Sequence, residues 1–333
     1  MIIVTGGAGF IGSAIVWKLN QLGEENILIV DNLGTDEKWK NLAPLRFRDY
    51  MEKDEFLNLV VSQRLAAKLD SDREGERIEA IMHMGACSST MEHDATFLIK
   101  NNFEYTKQLA IAAVNEGARF IYASSAATYG DGSNGFADEE RSIDRLRPLN
   151  MYGYSKQIFD QWALRHNLLD KIVGVKYFNV FGPNEYHKGE MRSVVLKAFE
   201  RIRSSGRMLL FKSYKKEYKD GEQVRDFVYV KDAVEMTLFF LEKRKIGGLF
   251  NIGSGAANTW NKLAAAIFSA LGKTINVEYI DMPAAIREKY QYYTRADISK
   301  INDAGYSKPL TSLENAVSDY VRNYLTDEKR LGE

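Results

Sequence analysis

A chain of 333 residues, 45% apolar and 27% charged, carries enough material for one large globular domain or two ordinary ones, which excludes disordered and fibrous classes. Lys plus Arg and Asp plus Glu both number 45, so net charge points neither to nucleic acid nor to an anionic membrane, and no apolar run is long enough to span a bilayer. A single cysteine, Cys87, rules out an intrachain disulfide, and the opening residues read as a strand instead of a secretory leader, so a reducing cytoplasm is expected.

Ile2 to Thr5 is a short β-rich run followed at once by Gly6-Gly7-Ala8-Gly9-Phe10-Ile11-Gly12, and Ser13 to Leu22 has helical periodicity that stops at Gly23. Gly6, Gly9 and Gly12 allow the backbone to approach a pyrophosphate at a helix N-terminus, where free amides and the dipole favour an anion. Ile27 to Val30 reads as the second strand, ended by Asp31. An acid there is placed for the adenosine ribose hydroxyls and favours NAD, while Lys38 or Lys53 can pair with a 2′-phosphate, which leaves NADP open. Asp49 is expected in a loop after the third strand. Residues 64–79 turn polar and read as a surface insertion. Ile78 to Met84 is a buried strand ending in Gly85-Ala86-Cys87-Ser88-Ser89, small residues that let a cofactor lie against the backbone, with Cys87 packed as a small apolar side chain.

Thr96 to Gly117 reads as one long helix carrying Asn101, and Phe120 to Ala123 as a strand that runs into Ser124-Ser125-Ala126-Ala127-Thr128. Hydroxyls at the end of a central parallel strand sit where ligands bind. In Met151-Tyr152-Gly153-Tyr154-Ser155-Lys156, Tyr152 and Lys156 share a helix face, and a nearby ammonium lowers a phenol from about 10 towards neutrality. Ile172 to Phe178 is a strand leading into Asn179-Val180-Phe181-Gly182-Pro183. The alternation predicts an α/β fold, a Rossmann-type doubly wound parallel sheet over 1–181. Beyond Gly182 a smaller mixed α/β substrate domain is expected over 182–333, with the chain returning to the first domain near 225–255. Its elements are helices at Ser193 to Ile202, from Lys231, at Asn258 to Leu271 and at Ser312 to Leu325, with strands at Leu209 to Phe211, Phe250 to Gly253 and Val277 to Ile280.

Ser125, Tyr152 and Lys156 form one chemical set. The serine polarises a carbonyl or alcohol, the tyrosine moves the proton, and the lysine holds the nicotinamide ribose, so the chemistry is hydride transfer at an alcohol carbon. No metal ligand set is read.

On Met1 to Ser13, Tyr122 to Gly130, Tyr177 to Pro183 and Arg225 to Val230, the chain resembles the extended short-chain dehydrogenase/reductase family, the NAD-dependent epimerases and dehydratases, over nearly its whole length. Two narrower words, Gly85 to Thr90 and His187-Lys188-Gly189, are similar to the branch that inverts C6″ of an ADP-heptose for the lipopolysaccharide core of bacteria. The resemblance implies bound NADP, a homo-oligomer, in this branch a pentamer, and two proton handlers, Tyr152 on one face of the ketone and Lys188 on the other. It implies cofactor contacts from Phe10, Ile11, Asp31, Asn32, Lys38, Lys53, Met84, Gly85, Ala86, Cys87, Ser88, Asn101, Lys156, Val180 and Lys188. Substrate contacts follow for Asn179, Glu190, Lys197, Phe211, Lys212, Ser213, Tyr214, Arg225 and Tyr290, with Arg225 suited to a diphosphate. The chain departs from this branch at Glu190, Lys197 and Met84, where Ser, His and Glu are usual. Other readings are a UDP-hexose 4-epimerase, which needs Tyr152 but not Lys188, and a non-catalytic dinucleotide-binding protein, which has no need of Ser125, Tyr152 and Lys156 together. A 4,6-dehydratase needs an acid and base where Ala126 and Ala127 stand.

Overall fold

The computed structural model describes residues 1–72, 77–287 and 290–333. In chain order the first half comprises β1 (Ile2–Thr5), α1 (Phe10–Gln21), β2 (Ile27–Asp31), β3 (Asp49–Glu52), α2 (Lys53–Val61), α3 (Leu65–Asp72), β4 (Ala80–His83), α4 (Ala95–Leu98), α5 (Tyr105–Asn115), β5 (Arg119–Ser125), α6 (Met151–Arg165), β6 (Ile172–Tyr177) and β7 (Asn179–Phe181). The second half adds α7 (Val194–Ser205), β8 (Met208–Phe211), β9 (Val224–Arg225), β10 (Phe227–Tyr229), α8 (Val230–Glu242), β11 (Gly248–Ile252), β12 (Asn258–Thr259), α9 (Trp260–Ala270), β13 (Val277–Ile280), α10 (Ala284–Arg287), α11 (Ser299–Asp303) and α12 (Leu313–Asp319).

The main sheet has seven parallel strands in the order β11-β6-β5-β4-β1-β2-β3. This is the doubly wound sheet expected from the alternation of elements. Its inner strands read as unbroken apolar runs because both faces are covered. Ile2, Val4, Ile27 and Ile29 face a core shared with α1 and α8, whereas Ile3, Leu28 and Val30 face one shared with α2, α5 and α6. The strand order reverses between β1 and β4, so the carboxyl ends of these strands open the crevice in which such sheets bind ligands.

The long helix expected at 96–117 runs from Ala95 to Asn115, widened to π-type turns over Ile99–Glu104, where Asn102 is buried. Two expectations are corrected. Within the polar stretch, α3 seats Leu65 and Leu69 in the second core, so this part is packed instead of being a surface loop; residues 73–76, its centre, lie outside the described residues. Asp49 opens β3 and is exposed, not part of a following loop. After β7, three short strand pairs, β7 with β10, β8 with β13 and β9 with β12, build the remaining part. The chain re-enters the main sheet through β11 beside β6. Among the described residues, no helix is long and apolar enough to cross a membrane.

Candidate active site

The glycine loop turns out of β1 into α1, whose N-cap, Gly9, offers no side-chain cap to the first amides of the helix. A Cβ on Gly6 would stand 2.6 Å from Gly85 N, and one on Gly12 would stand 2.0 Å from the Gly6 carbonyl oxygen. The loop is thus packed to backbone contact between β1, α1 and the end of β4, a cradle at whose helix end the first amides carry no side-chain cap. These residues fit a dinucleotide pyrophosphate. Asp31, buried at the end of β2, accepts from Ala8 N at 2.9 Å and from Lys38 Nζ at 2.9 Å. Lys53, at the head of α2, donates to Asn101 Oδ1 at 3.0 Å, joining two expected cofactor residues. Phe10, Ile11 and Gly12 form the first turn of α1 and Asn32 follows Asp31, while Met84, Gly85, Ala86, Cys87 and Ser88 continue from β4. Asn102 grips this second loop, accepting from Cys87 N at 2.9 Å while donating to Cys87 O at 2.9 Å and Ser155 Oγ at 3.0 Å. No sequence signal marked Asn102, because its role depends on the π-type turn. Cys87 is half-buried, more open than the packed apolar side chain expected.

Ser125 is the last residue of β5, and its hydroxyl accepts from Ala127 N at 3.1 Å as the chain turns. Asn150 caps α6 by accepting from Gly153 N at 2.8 Å. Gly153 lets α6 lie against that turn, since a Cβ there would meet the Ala127 carbonyl at 2.7 Å. The phenol of Tyr152 accordingly shares a hydrogen bond with Ser125.

The electrostatics differ from the sequence expectation. Burial pushes the Tyr152 phenol above its ordinary value, the Ser125 bond pulling it back and Cys87 adding to the rise. Lys156 Nζ turns to the Ala123 carbonyl at 2.8 Å, away from the role of lowering the phenol, and burial brings its own value down to about 8. Spacing placed the two groups on one face; it did not fix where the ammonium points.

Lys188 lies in a 3-10 turn over Tyr186–Met191, its Nζ 5.2 Å from the centre of the Phe10 ring. Burial lowers its value and Glu185 opposes the fall. Glu185 is itself buried and anchors the turn, accepting from Ser193 Oγ at 2.6 Å and Gly182 N at 3.3 Å. Asn41 ties the turn to the glycine loop by donating to Ala8 O and Asn184 O, both at 3.0 Å. The loop after β4 also reaches the turn, with Thr90 Oγ1 3.8 Å from Met191 Sδ. Lys188 is thereby held at the head of α1, which its position in sequence could not indicate.

On the substrate side, the buried Arg225 guanidinium lies 5.0 Å from the Tyr290 ring and 5.6 Å from that of Trp260, whose Nε1 donates to the Tyr290 hydroxyl at 2.9 Å. Phe211 meets Tyr290 edge-on, and Val180 pairs with Val228 beside Asn179, which donates to Asp226 O at 3.0 Å. Trp260 was missed because it opens α9, far along the chain. Lys212 and Tyr214 both turn to Asp281, beyond β13, at 3.2 and 3.0 Å, and Ser213 N donates to Asp220 at 2.7 Å, so all three are engaged by carboxylates of the protein itself. Glu190 and Lys197, the two charged departures, pair with each other at 3.1 Å, which cancels the acid that would face an anionic substrate. Met84 Sδ accepts from the Tyr177 hydroxyl at 3.4 Å.

The family model for the NAD dependent epimerase/dehydratase family matches residues 2–253. A relative from Nitratidesulfovibrio vulgaris named ADP-L-glycero-D-manno-heptose-6-epimerase is 53% identical over 325 residues, 98% of each chain. The crystal structure of the Helicobacter pylori ADP-L-glycero-D-manno-heptose-6-epimerase superposes with a TM-score of 0.78 at 27% identity, covering 97% of this chain and 95% of that one. UDP-glucuronic acid 4-epimerase from Bacillus cereus, solved with UDP-glucuronic acid and NAD, gives 0.76 at 25% identity, covering 98% and 99%. These likenesses and the glycine cradle support a nicotinamide dinucleotide as cofactor. With a family model over three quarters of its length and a relative more than half identical across it, the chain belongs to the NAD dependent epimerase/dehydratase family.

Proposed function

We propose that this enzyme inverts C6″ of ADP-D-glycero-β-D-manno-heptose to give the L-glycero epimer. Overall the reaction is an isomerisation: the C6″ carbinol loses a hydride and its hydroxyl proton to give a ketone, the ketone turns, and both return on the opposite face. The dinucleotide, when bound, takes up the hydride and gives it back. Tyr152 handles the proton on one face, with Ser125 sharing its hydroxyl, and Lys188 handles it on the other. Arg225, backed by Tyr290 and Trp260, holds the diphosphate. The observation that carries the reading is the amine of Lys188 against Phe10, a second proton handler at the same loop that cradles the dinucleotide. A 4-epimerase has no need of it. The N. vulgaris relative supports the substrate. A cytoplasmic location and a homo-oligomer, a pentamer by the family resemblance, belong to the same reading.

Purified protein is expected to convert the D-glycero to the L-glycero epimer with no added oxidant, followed by NMR of the H6″ signal. Turnover of UDP-galactose without any conversion of the ADP-heptose would overturn the substrate and favour the 4-epimerase.

We further infer that the dinucleotide is NADP. Lys38 neutralises Asp31 at 2.9 Å, and Lys53 adds a second cation near that strand end, so the acid that would repel a 2′-phosphate is compensated. Mass spectrometry of the dinucleotide released on denaturation is expected to give NADP. In Lys38→Ala the proportion should swing towards NAD; NAD alone from the unsubstituted protein would sink the inference.

A further inference from the structure

Four residues before Lys188, Asn184 is wholly buried and takes the left-handed conformation at φ +79°, which asparagine tolerates better than most side chains. Its carboxamide has two partners, both far away in the chain. Oδ1 accepts from Leu331 N at 2.9 Å, and Nδ2 donates to Ser13 Oγ at 2.9 Å. These partners fix which end of the amide points where. A backbone N–H can only donate, so the oxygen faces Leu331, and the Ser13 hydroxyl gives its proton to the Phe10 carbonyl at 3.2 Å, so it receives the Asn184 N–H.

Ser13 belongs to α1 and is also wholly buried. The bond from Asn184 therefore ends on the turn of α1 that presents the Phe10 ring to the Lys188 amine. The Asn184 carbonyl is held by Asn41, whose carboxamide nitrogen also lies 3.4 Å from His187 Nδ1. Residues 329–331 lie against the same turn. The Tyr186 hydroxyl donates to the Lys329 carbonyl at 3.0 Å, the Arg330 guanidinium is 5.1 Å from the centre of the Tyr186 ring, and the Leu331 side chain is buried in the first core. The turn that carries Lys188 has weaker means of its own: none of its residues Tyr186–Met191 is fully buried, and Gly189 breaks its helical conformation at φ +52°. Its placement therefore depends on the two buried residues before it. Glu185 ties it to Gly182 and Ser193, and the Asn184 carboxamide carries it across to α1.

We propose that Asn184 is a positioning residue for Lys188: its carboxamide fixes the Lys188 turn to the head of α1 and so holds the amine against the Phe10 ring. The consequence for the reaction rests on Lys188 being the second proton handler. Tyr152 then takes the hydroxyl proton of one epimer and Lys188 that of the other. A displaced Lys188 slows ketone formation from one epimer alone, whereas a general loosening of the fold slows it from both.

Asn184→Gly is the informative substitution, because glycine adopts φ +79° without strain and keeps the carbonyl that Asn41 holds, so the carboxamide and its bonds are what is lost. Two measurements on the holoenzyme decide. Amide hydrogen exchange over residues 185–192 should become about tenfold faster or more, with exchange in β1 and β4 unchanged. The rate of ketone formation is followed for each pure epimer in a single turnover by absorbance of the reduced nicotinamide. The ratio of the two rates should change by roughly tenfold to a hundredfold, in the direction set by Lys188→Ala, since misplacement by about 1 Å can cost that much. Unchanged exchange over residues 185–192 overturns the proposal, and so does faster exchange with an unaltered ratio where Lys188→Ala does alter it. Should Asn184→Gly give no folded protein, Ser13→Ala, which removes the acceptor of the Asn184 amide, decides by the same two measurements. Exchange needs no substrate, so a loosened turn in a protein whose Lys188→Ala form treats both epimers alike upholds Asn184 as the anchor and rejects the two-handler reading instead.

Discussion

Tyr152→Phe is expected to lower kcat by roughly 10² to 10⁴, a loss of about 3–5 kcal/mol of transition-state stabilisation, with dinucleotide content unchanged. The substitution keeps the ring and its packing in α6 and removes only the hydroxyl that shares a hydrogen bond with Ser125. Because burial holds that phenol above its ordinary value, the resting side chain is protonated at neutral pH and carries the proton to be exchanged. Lys188→Ala should cost a similar factor, since an epimerase must exchange a proton on each face of its ketone and each handler serves one face. Single-turnover kinetics with the holoenzyme measure both. Epimerisation at the unsubstituted rate in Lys188→Ala would remove its role and leave Tyr152 as the lone proton handler, the arrangement of a 4-epimerase.

Gly12→Ala should abolish dinucleotide retention, with affinity falling by about 10²-fold or more, because misplacing a binding loop by about 1 Å is enough for that. The added Cβ would sit 2.0 Å from the Gly6 carbonyl oxygen and 3.0 Å from Gly7 Cα. Both are backbone atoms of the loop itself, so relief comes only from moving the loop off the helix. The control is Gly23→Ala at the end of α1, where φ is +84° and nothing stands within 4 Å. There the cost is backbone strain, about 1–2 kcal/mol, and dinucleotide should be retained. The ratio of absorbance at 260 and 280 nm of the purified proteins measures retention. A Gly12→Ala protein that copurifies with a full complement of dinucleotide would contradict the cradle.

What could be read from the residues was whatever depends on near neighbours in the chain. The glycine spacing after a β-rich run, the apolar runs that become β1, β2, β4 and β6, and the four-residue step from Tyr152 to Lys156 are local patterns, and each has the conformation that its pattern implied. The family words added Lys188 and Arg225 by likeness alone. Groups set by distant partners were not legible in this way. Lys156 turns to the Ala123 carbonyl, 33 residues away, and Asp160 is held from β5 and β6. Glu190 read singly is an acid beside an anion site, but the seven-residue step to Lys197 makes it one half of an ion pair. Trp260 behind Arg225 and Asn102 across from Cys87 had no local mark at all.

The sequence by itself therefore determined the fold class, the glycine loop and the placing of Tyr152 and Lys156 on one helix face, because periodicity and spacing act over a few residues of backbone. Only the tertiary structure decided the charge states and partners within the site. Burial raises the Tyr152 phenol and lowers the Lys156 and Lys188 amines, and Asp160 and Glu185 oppose the fall of one amine each. Desolvation and Coulomb energy depend on what surrounds a group in space, and that is fixed only when separate strands and helices are brought to one rim.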